Sequence, residues 1–219
     1  MTHDTSLADT IKWAAHHQSD RLRRRYFDTK LNATMVLVTQ GDYYVSSDPG
    51  EILTTILGSC IAVCARDPEL GFGGMNHFVL PDVTAASECG PSLELRYGSY
   101  SIERLVNAII NRGGQRKRLE IKVFGGANVT GASNIGHHNS DFVEEYMRRE
   151  QLPIAAKMLR CRAPCKVRYF PATGKVQLRE MQSLTTAAKF DVAARLKSRQ
   201  QLDENTGRVV LFDNTRKPA

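Results

Sequence analysis

The feature that most constrains the fold is a series of short β-type segments in the first part of the chain, bounded by glycine, proline or aspartate. The segments are residues 35–38, 43–45, 52–57, 61–65 and 75–80. They are rich in valine, isoleucine, threonine and aromatic residues, which favour strands over helices. Gly41-Asp42 and Asp67-Pro68 are turn signals between them. The sequence therefore predicts a strand-rich region, interrupted by tight bends.

A helix is predicted to begin at Ser101, an acceptable N-cap residue. The apolar residues that follow recur at helical spacing, and they are Ile102, Leu105, Val106, Ile109 and Ile110. Gly113-Gly114 is expected to end this helix, because glycine is common just beyond a helix C-terminus. Residues 83–98, which precede the helix, are interpreted as a loop.

A second helix and a hairpin are predicted further along the chain. The helix is expected to be capped by Asn139 or Ser140, with an apolar face made of Phe142, Val143, Tyr146 and Met147. A strand is predicted at residues 119–124. The hairpin consists of residues 166–170 and 175–178 around a turn at 171–174. From about Ser183 the sequence predicts one amphipathic helix and then a polar tail.

Length and composition favour one domain with loose ends. The chain has 219 residues, of which 42% are apolar, which is enough for one sizeable core and short for two. We expect a basic, flexible arm at residues 1–33, a folded domain at 34–182, and a helix with a polar tail at 183–219. The absence of an apolar run of about 18 residues and of a secretory signal predicts a cytoplasmic protein.

The basic charge suggests an acidic partner. The formal net charge is +7 and the isoelectric point is about 9.3. Residues 12–30 contain six basic and two acidic residues, an excess of four. Such an arm is typical of a solvated chain end, and a nucleic-acid or membrane-surface contact through residues 21–25 is the alternative. Nucleic-acid binding would weaken steeply with salt and disappear on deletion of residues 1–30. We expect no nucleic acid as a partner.

Cys60 is the candidate nucleophile, because it directly follows the bend Gly58-Ser59, where bare backbone N–H groups could activate a thiol and bind an oxyanion. The plainer interpretation of Cys60 is a core side chain. His77 lies 17 residues later (77 − 60), and two strands joined by the intervening turn would bring its imidazole near the thiol. The hydroxyl of Thr54 is a candidate to orient that imidazole.

The glycines beside the candidate pair suit the approach of a substrate or of another backbone. The predicted oxyanion and substrate-approach residues are Gly58, Ser59, Gly73, Gly74 and Asn76. The stretch 124–128 resembles a phosphate loop but lacks the Lys-Ser/Thr ending, so we interpret it as a glycine bend packed near the site.

Metal binding is not expected. The five cysteines are odd in number, which argues against a disulfide framework and favours reduced thiols. Cys60 and Cys64, like Cys161 and Cys165, have three residues between them. Residues four apart on a strand are separated by roughly 13 Å, too far for both sulfurs to hold one ion. His137-His138 is interpreted as a surface or loop pair.

The segments 57–63, Asp67-Pro68 and 73–81 closely resemble the CheD family of chemoreceptor glutamine deamidases. The likeness extends through residues 41–45, 96–98, 122–127 and 134–139, and covers approximately residues 35 to 180. The sequence departs from the family pattern at residues 161–166 and at His137-His138.

The resemblance implies a layered α/β/β sandwich with mixed sheets, similar to the cytotoxic necrotizing factor toxins, and a catalytic set of Cys60, His77 and Thr54. It implies deamidation of glutamine side chains in methyl-accepting chemotaxis receptors, without a cofactor, by a protein that associates with receptors and is not inserted in the membrane. A methylesterase side activity is chemically compatible, because a glutamate methyl ester presents the same acyl carbon. The alternative is a non-catalytic adaptor that binds a CheC-type phosphatase.

Overall fold

Ten strands and two α-helices form the part of the chain that the computed structural model describes, which is residues 25–80, 91–128 and 134–181, with backbone only at 91–95. The strands are β1 (Arg25–Asp28), β2 (Ala33–Leu37), β3 (Tyr43–Ser46), β4 (Glu51–Leu57), β5 (Ile61–Asp67), β6 (Phe72–Asn76), β7 (Glu120–Gly125), β8 (Ile154–Leu159), β9 (Cys165–Tyr169) and β10 (Val176–Glu180). The helices are α1 (Pro91–Ile110) and α2 (Ile135–Arg149).

The strands form two five-stranded mixed sheets. Sheet A has the order β1-β2-β4-β9-β10 and sheet B has the order β3-β6-β5-β7-β8. The pairs β2–β4 and β7–β8 are parallel, and the other neighbours are antiparallel. Because β4 belongs to sheet A and β5 to sheet B, the chain crosses between the sheets in the short bend at residues 58–60.

Two apolar cores separate the layers. One core joins α1 and α2 to sheet B, and it includes Ile61, Val63, Phe78, Leu105 and Val143. The other core fills the space between the two sheets, and it includes Leu53, Leu57, Ala62, Met75 and Val167. The described residues therefore form a helix layer on sheet B and sheet B on sheet A, which confirms the predicted α+β class with mixed sheets.

The strand predictions are confirmed with small shifts in their ends. The predicted segment 75–80 is the exception, because β6 spans Phe72–Asn76 and the chain then continues through an isolated bridge between Phe78 and Ile61. The predicted hairpin near the end of the domain is β9–β10, paired antiparallel.

The interpretation of residues 83–98 as a loop is wrong for residues 91–98, which belong to α1; residues 83–90 lie outside the described part. The helix begins at Pro91, a residue whose fixed φ suits the first helical position. Gly98 suggests a loop in the sequence, but it lies inside α1. A Cβ at this position would lie 2.4 Å from the ring of Phe142, so glycine allows α1 and α2 to pack closely.

The predicted start of the second helix is also wrong. Helix α2 begins at Ile135, with Asn134 as its N-cap. Asn139 and Ser140 lie inside the helix, where both are fully buried. Their polar side chains bond to neighbouring backbone carbonyls, Asn139 to Ser59 and Ser140 to Gly136. These side chains therefore tolerate a helical, buried position.

The structure describes part of the predicted N-terminal arm but not the predicted C-terminal helix. The last part of the predicted N-terminal arm forms β1, an edge strand paired with β2. Residues 1–24 and the predicted C-terminal helix lie outside the described residues. Neither described helix is long and apolar enough to cross a membrane.

Candidate active site

Cys60 lies at the end of the bend that carries the chain from sheet A to sheet B. Leu57 ends β4 and Ile61 begins β5, so only three residues make the crossing. The Cys60 side chain is 3% exposed and belongs to the core between the sheets. The prediction that a strand restarts after a glycine-containing bend at this cysteine is confirmed.

Backbone hydrogen bonds hold the bend on its carbonyl side. The Gly58 carbonyl accepts from the N–H of Ala127 at 2.8 Å, and the Cys60 carbonyl accepts from the N–H of Gly126 at 2.9 Å. Gly125 has a φ of +117°, and a Cβ there would lie 2.1 Å from the Cys60 carbonyl oxygen. The glycine bend at residues 125–127 thus packs directly against the candidate nucleophile, as the sequence predicts.

Asn139 joins the same bend to the strand extension that follows His77. Its Nδ2 donates to the Ser59 carbonyl at 2.8 Å, and its Oδ1 accepts from the Leu80 N–H at 2.9 Å. One buried amide therefore ties the residue before Cys60 to a residue three positions after His77. The sequence does not indicate this role, because the local pattern around Asn139 predicts a helix cap.

His77 faces the same core as Cys60. Ile61 and Phe78 exchange both backbone hydrogen bonds, so Cys60 lies opposite Val79 and His77 lies opposite Ala62 in an antiparallel register. Cys60, Ala62 and Val79 all belong to the core between the sheets. Because side chains alternate along a strand, His77 shares this face and is a diagonal neighbour of Cys60, within reach of a long side chain.

Thr55, and not Thr54, contacts the imidazole. The Oγ1 atom of Thr55 lies 2.8 Å from His77 Nδ1, whereas the Thr54 hydroxyl donates to the Val167 carbonyl at 2.9 Å. Thr55 points into the space between the sheets, where Leu53 and Leu57 of the same strand also point. Thr54 points to the opposite face of sheet A. The predicted orienting role of Thr54 is therefore corrected to its neighbour.

A second contact at Nδ1 indicates which nitrogen of the His77 ring carries the proton. The Val38 carbonyl oxygen lies 3.4 Å from His77 Nδ1, and a carbonyl can only accept a hydrogen bond. A proton on Nδ1 satisfies this contact and allows the Thr55 oxygen to accept as well. The uncharged imidazole then has its lone pair on Nε2, which is the nitrogen suited to remove a proton.

Gln40 is a further polar neighbour of the thiol. The Cys60 Sγ donates to Gln40 Oε1 at 3.9 Å, and both side chains are buried. Gln40 belongs to the turn whose neighbours Gly41 and Asp42 bond the backbone of His77, at 2.8 and 3.0 Å. The sequence marks this segment only as a turn, and nothing in its pattern indicates contact with Cys60.

Three predicted substrate-approach residues lie elsewhere. Gly73 pairs with Arg66, and Gly74 pairs with Ala65. Ala65 lies five residues along the strand from Cys60, which corresponds to roughly 17 Å at about 3.3 Å per residue. A Cβ on either glycine would lie within 2.5 Å of a neighbouring strand carbonyl. The absence of a side chain at Gly73 and Gly74 therefore allows the neighbouring strands to pack closely.

Asn76 is the third of these residues, and it is fully buried. Its Oδ1 accepts from the Val63 N–H and its Nδ2 donates to the Ser101 carbonyl. Both of its polar groups are thus used to join β5 to α1, which is a structural role.

The cysteine pairs behave differently from each other. Cys64 is fully buried within β5, and burial raises the pKa of its thiol far above the ordinary range. The Cys161 thiol donates to the Met158 carbonyl at 3.6 Å, and Cys165 is buried at the start of β9. The strand-spacing argument does not apply to this second pair, because Cys161 lies in the turn before β9. No group of three or more His, Cys, Asp or Glu side chains suited to a metal occurs in the described ranges.

Comparison with known proteins places the chain in a family. The family model "CheD chemotactic sensory transduction" matches residues 79–180. A protein of Rhodopseudomonas palustris BisA53, named "probable chemoreceptor glutamine deamidase CheD", is 49% identical over 190 residues, which cover 86% of this chain and 89% of the relative. The chain belongs to the CheD family.

Other CheD relatives carry the same name. The Ralstonia nicotianae protein is 40% identical over 89% of this chain and 85% of its own length. The Caulobacter vibrioides NA1000 protein is 43% identical over 70% of this chain and 82% of its own length. The alignment with the Rhodopseudomonas palustris protein covers 86% of this chain, so it includes residues 54–77, which contain Cys60 and His77. The CheD resemblance stated from the sequence is therefore confirmed.

Proposed function

We propose that this CheD protein is a protein-glutamine deamidase that converts glutamine side chains of methyl-accepting chemotaxis receptors into glutamate and releases ammonia. The observation that supports it most is the shared face of Cys60 and His77, with the imidazole held at Nδ1 by the Thr55 hydroxyl. The relatives named as chemoreceptor glutamine deamidases support the choice of substrate.

The reaction begins with thiol activation. His77 Nε2 takes the proton of Cys60, and the thiolate attacks the side-chain carbonyl carbon of the substrate glutamine. The imidazolium then gives its proton to the departing nitrogen, so the C–N bond breaks and ammonia leaves a thioester on Cys60. Water, deprotonated by the same imidazole, attacks the thioester carbon, releases glutamate and restores the thiol.

The backbone of the bend is suited to stabilise the oxyanion. In a trans peptide the N–H points opposite to the preceding carbonyl. The Ser59 carbonyl is directed at Asn139 and the Gly58 carbonyl at Ala127. The N–H groups of Cys60 and Ser59 therefore point away from these partners, and we assign them to the oxyanion. One such donor is typically worth about 3 to 4 kcal/mol.

Further parts of the proposal follow the family resemblance. The fold is a cytotoxic-necrotizing-factor-like α/β/β sandwich, the protein acts in the cytoplasm, and it needs no cofactor. Glutamate methyl esters are a second substrate class, because the thiolate meets the same acyl carbon. Each deamidation adds one negative charge to a receptor helix, which changes helix stability by only about 0.2 to 0.5 kcal/mol per charge pair. The expected effect is a graded bias on receptor signalling.

The test is incubation of the full chain with purified cytoplasmic fragments of the receptors of its source organism. Deamidation adds about one dalton per converted glutamine and releases an equal amount of ammonia, which intact-mass and ammonia assays measure together. Fragments incubated without the protein provide the control. Binding to receptors or to a CheC-type phosphatase, without mass change or ammonia on any fragment, would replace the deamidase by the adaptor.

Paired substitutions of the two threonines test the assignment of the orienting hydroxyl. Thr55→Val removes the contact to His77 Nδ1 and is expected to lower kcat about 5- to 10-fold, the value of one neutral hydrogen bond. Thr55→Ser keeps the hydroxyl and should restore most of the rate. Thr54→Val is the matched control, because it removes a hydrogen bond of similar length on the other face of β4. A larger loss of kcat in Thr54→Val than in Thr55→Val would reverse the assignment.

A further inference from the structure

The turn at residues 38–42 is, like the bend before β5, a connection between the two sheets. It joins β2 of sheet A to β3 of sheet B. On one side, the Val38 N–H donates to the Thr54 carbonyl in sheet A at 2.9 Å. On the other side, the Gly41 N–H donates to the His77 carbonyl at 2.8 Å. Backbone hydrogen bonds therefore fix this turn to sheet A and to the residue that carries the candidate imidazole.

The side chain of Gln40, at the centre of this turn, points into the protein. The residue is 7% exposed, although a turn can ordinarily extend a glutamine side chain into water. Its Oε1 accepts a hydrogen bond from the Sγ of Cys60 at 3.9 Å. Burial of a carboxamide costs free energy unless its polar atoms are hydrogen bonded. The fold thus holds a buried amide oxygen against the candidate nucleophile, at a position where packing alone would favour an apolar side chain.

The proposed reaction requires a hydrogen-bond acceptor beside the sulfur. The substrate carbonyl oxygen is bound by the N–H groups of the bend, and the NH2 group also lies near the sulfur, because it is attached to the attacked carbon. An uncharged amide NH2 group has two N–H donors, which need acceptors. Once His77 has taken the thiol proton, its imidazolium is a donor only. Gln40 Oε1 is an acceptor in contact with the sulfur, so it is placed to meet the substrate N–H.

Ionisation of the thiol removes a donor from this oxygen. Before the reaction, the Cys60 thiol donates its one proton to Gln40 Oε1. When His77 takes that proton, the hydrogen bond from the sulfur is lost. An N–H of the substrate amide can replace it, since the attacked carbon becomes bonded to the same sulfur. The acceptor is therefore paired both with the resting thiol and with the reacting amide.

We propose that Gln40 is a specificity-determining residue, whose Oε1 accepts a hydrogen bond from the NH2 group of the substrate glutamine. The inference rests on the proposed function and identifies the group that recognises the amide. A buried acceptor disfavours a substrate that lacks the matching N–H, because the acceptor then stays unpaired. An ester has no N–H at this position, and the glutamate product has only oxygen atoms there. Gln40 therefore favours amides over esters and disfavours rebinding of the product.

The test compares two substrates of the same thiol, with the full wild-type chain and with Gln40→Met, which keeps the length of the side chain but has no amide oxygen. The first substrate is a receptor cytoplasmic fragment, and the readout is kcat/KM for ammonia release. The second is p-nitrophenyl acetate, an ester without N–H groups, and the readout is the part of p-nitrophenolate release that Cys60→Ala abolishes. In Gln40→Met we expect the first value to fall about 5- to 100-fold and the second to stay within about threefold.

Two further variants complete the comparison. Gln40→Glu keeps acceptor oxygens at the same position, while its negative charge opposes thiolate formation and should slow both reactions. The ratio of the two values should therefore remain near that of the wild type. Gln115→Met, at an exposed position, controls for the loss of a glutamine and should change neither value. Gln40→Leu replaces Gln40→Met if circular dichroism shows that the methionine variant is unfolded.

A parallel fall of both values in the folded Gln40→Met protein would overturn the inference, because a displaced Cys60 or His77 slows both reactions. Unchanged deamidation in that variant would overturn it as well. Failure of the proposed function gives a different pattern, in which the wild type releases p-nitrophenolate through Cys60 but no ammonia from any receptor fragment. The inference would then be withdrawn together with the proposed function.

Discussion

Replacement of Cys60 by alanine is expected to lower the deamidation rate by a factor on the order of 10⁴ or more, because no thioester forms without the nucleophile. The measurement is the initial rate of ammonia release from a receptor fragment, with intact mass as a second readout. Binding to the fragment should be retained, since the substitution removes one small side chain.

Cys64→Ala is the matched control for this experiment. Cys64 lies four residues along the same chain segment and faces the same core, but it pairs with Met75 and Lys122 within sheet B. Its loss should leave the rate per folded molecule within about twofold, although a cavity of this size costs stability. Comparable activity in Cys60→Ala and wild type would place the nucleophile elsewhere.

Replacement of His77 by alanine is expected to lower kcat by about 10²- to 10⁴-fold, the usual contribution of a general acid and base. The same change should slow alkylation of Cys60 by iodoacetamide, because the thiol loses the group that deprotonates it. Peptide mapping of the alkylated protein separates Cys60 from the other cysteines. His138→Ala, at an exposed position of α2, controls for the loss of a histidine.

The alkylation rate distinguishes a base from a structural residue. A folded His77→Ala protein with slow deamidation but unchanged Cys60 alkylation would show that the imidazole does not act on the thiol. A parallel fall in both rates supports the proposed pair.

Cys60 and His77 can be proposed as a candidate pair from the sequence, because residue type and local pattern agree at these positions. A cysteine after a glycine-containing bend between two β-type segments can be identified from the sequence, and strand pairing explains how a distant histidine reaches it. The choice between Thr54 and Thr55 was not predictable in this way. Strand β4 is apolar on both faces, so its alternation does not indicate which face meets the other sheet. Only the position of sheet B decides that Thr55 faces His77.

The roles of the glycines and of Asn139 required tertiary structure for a related reason. Gly73-Gly74 and Gly125-Gly126 look alike in the sequence, but only the second pair packs against Cys60, because β7 pairs with β5 beside the bend. Asn139 resembles a helix cap until the Ser59 carbonyl is placed beside it. Contacts between segments separated by some 80 residues leave no local pattern.

The division of the candidate site between two sheets has a consequence for the chain as a whole. The thiol and the imidazole belong to sheet B and its extensions, whereas the threonine hydroxyl that holds the ring comes from sheet A. The three groups lie within residues 55–77 of the chain, but the contact between Thr55 and His77 joins the two sheets. The candidate site is therefore complete only while the two layers are stacked, and turnover would report on their intact docking.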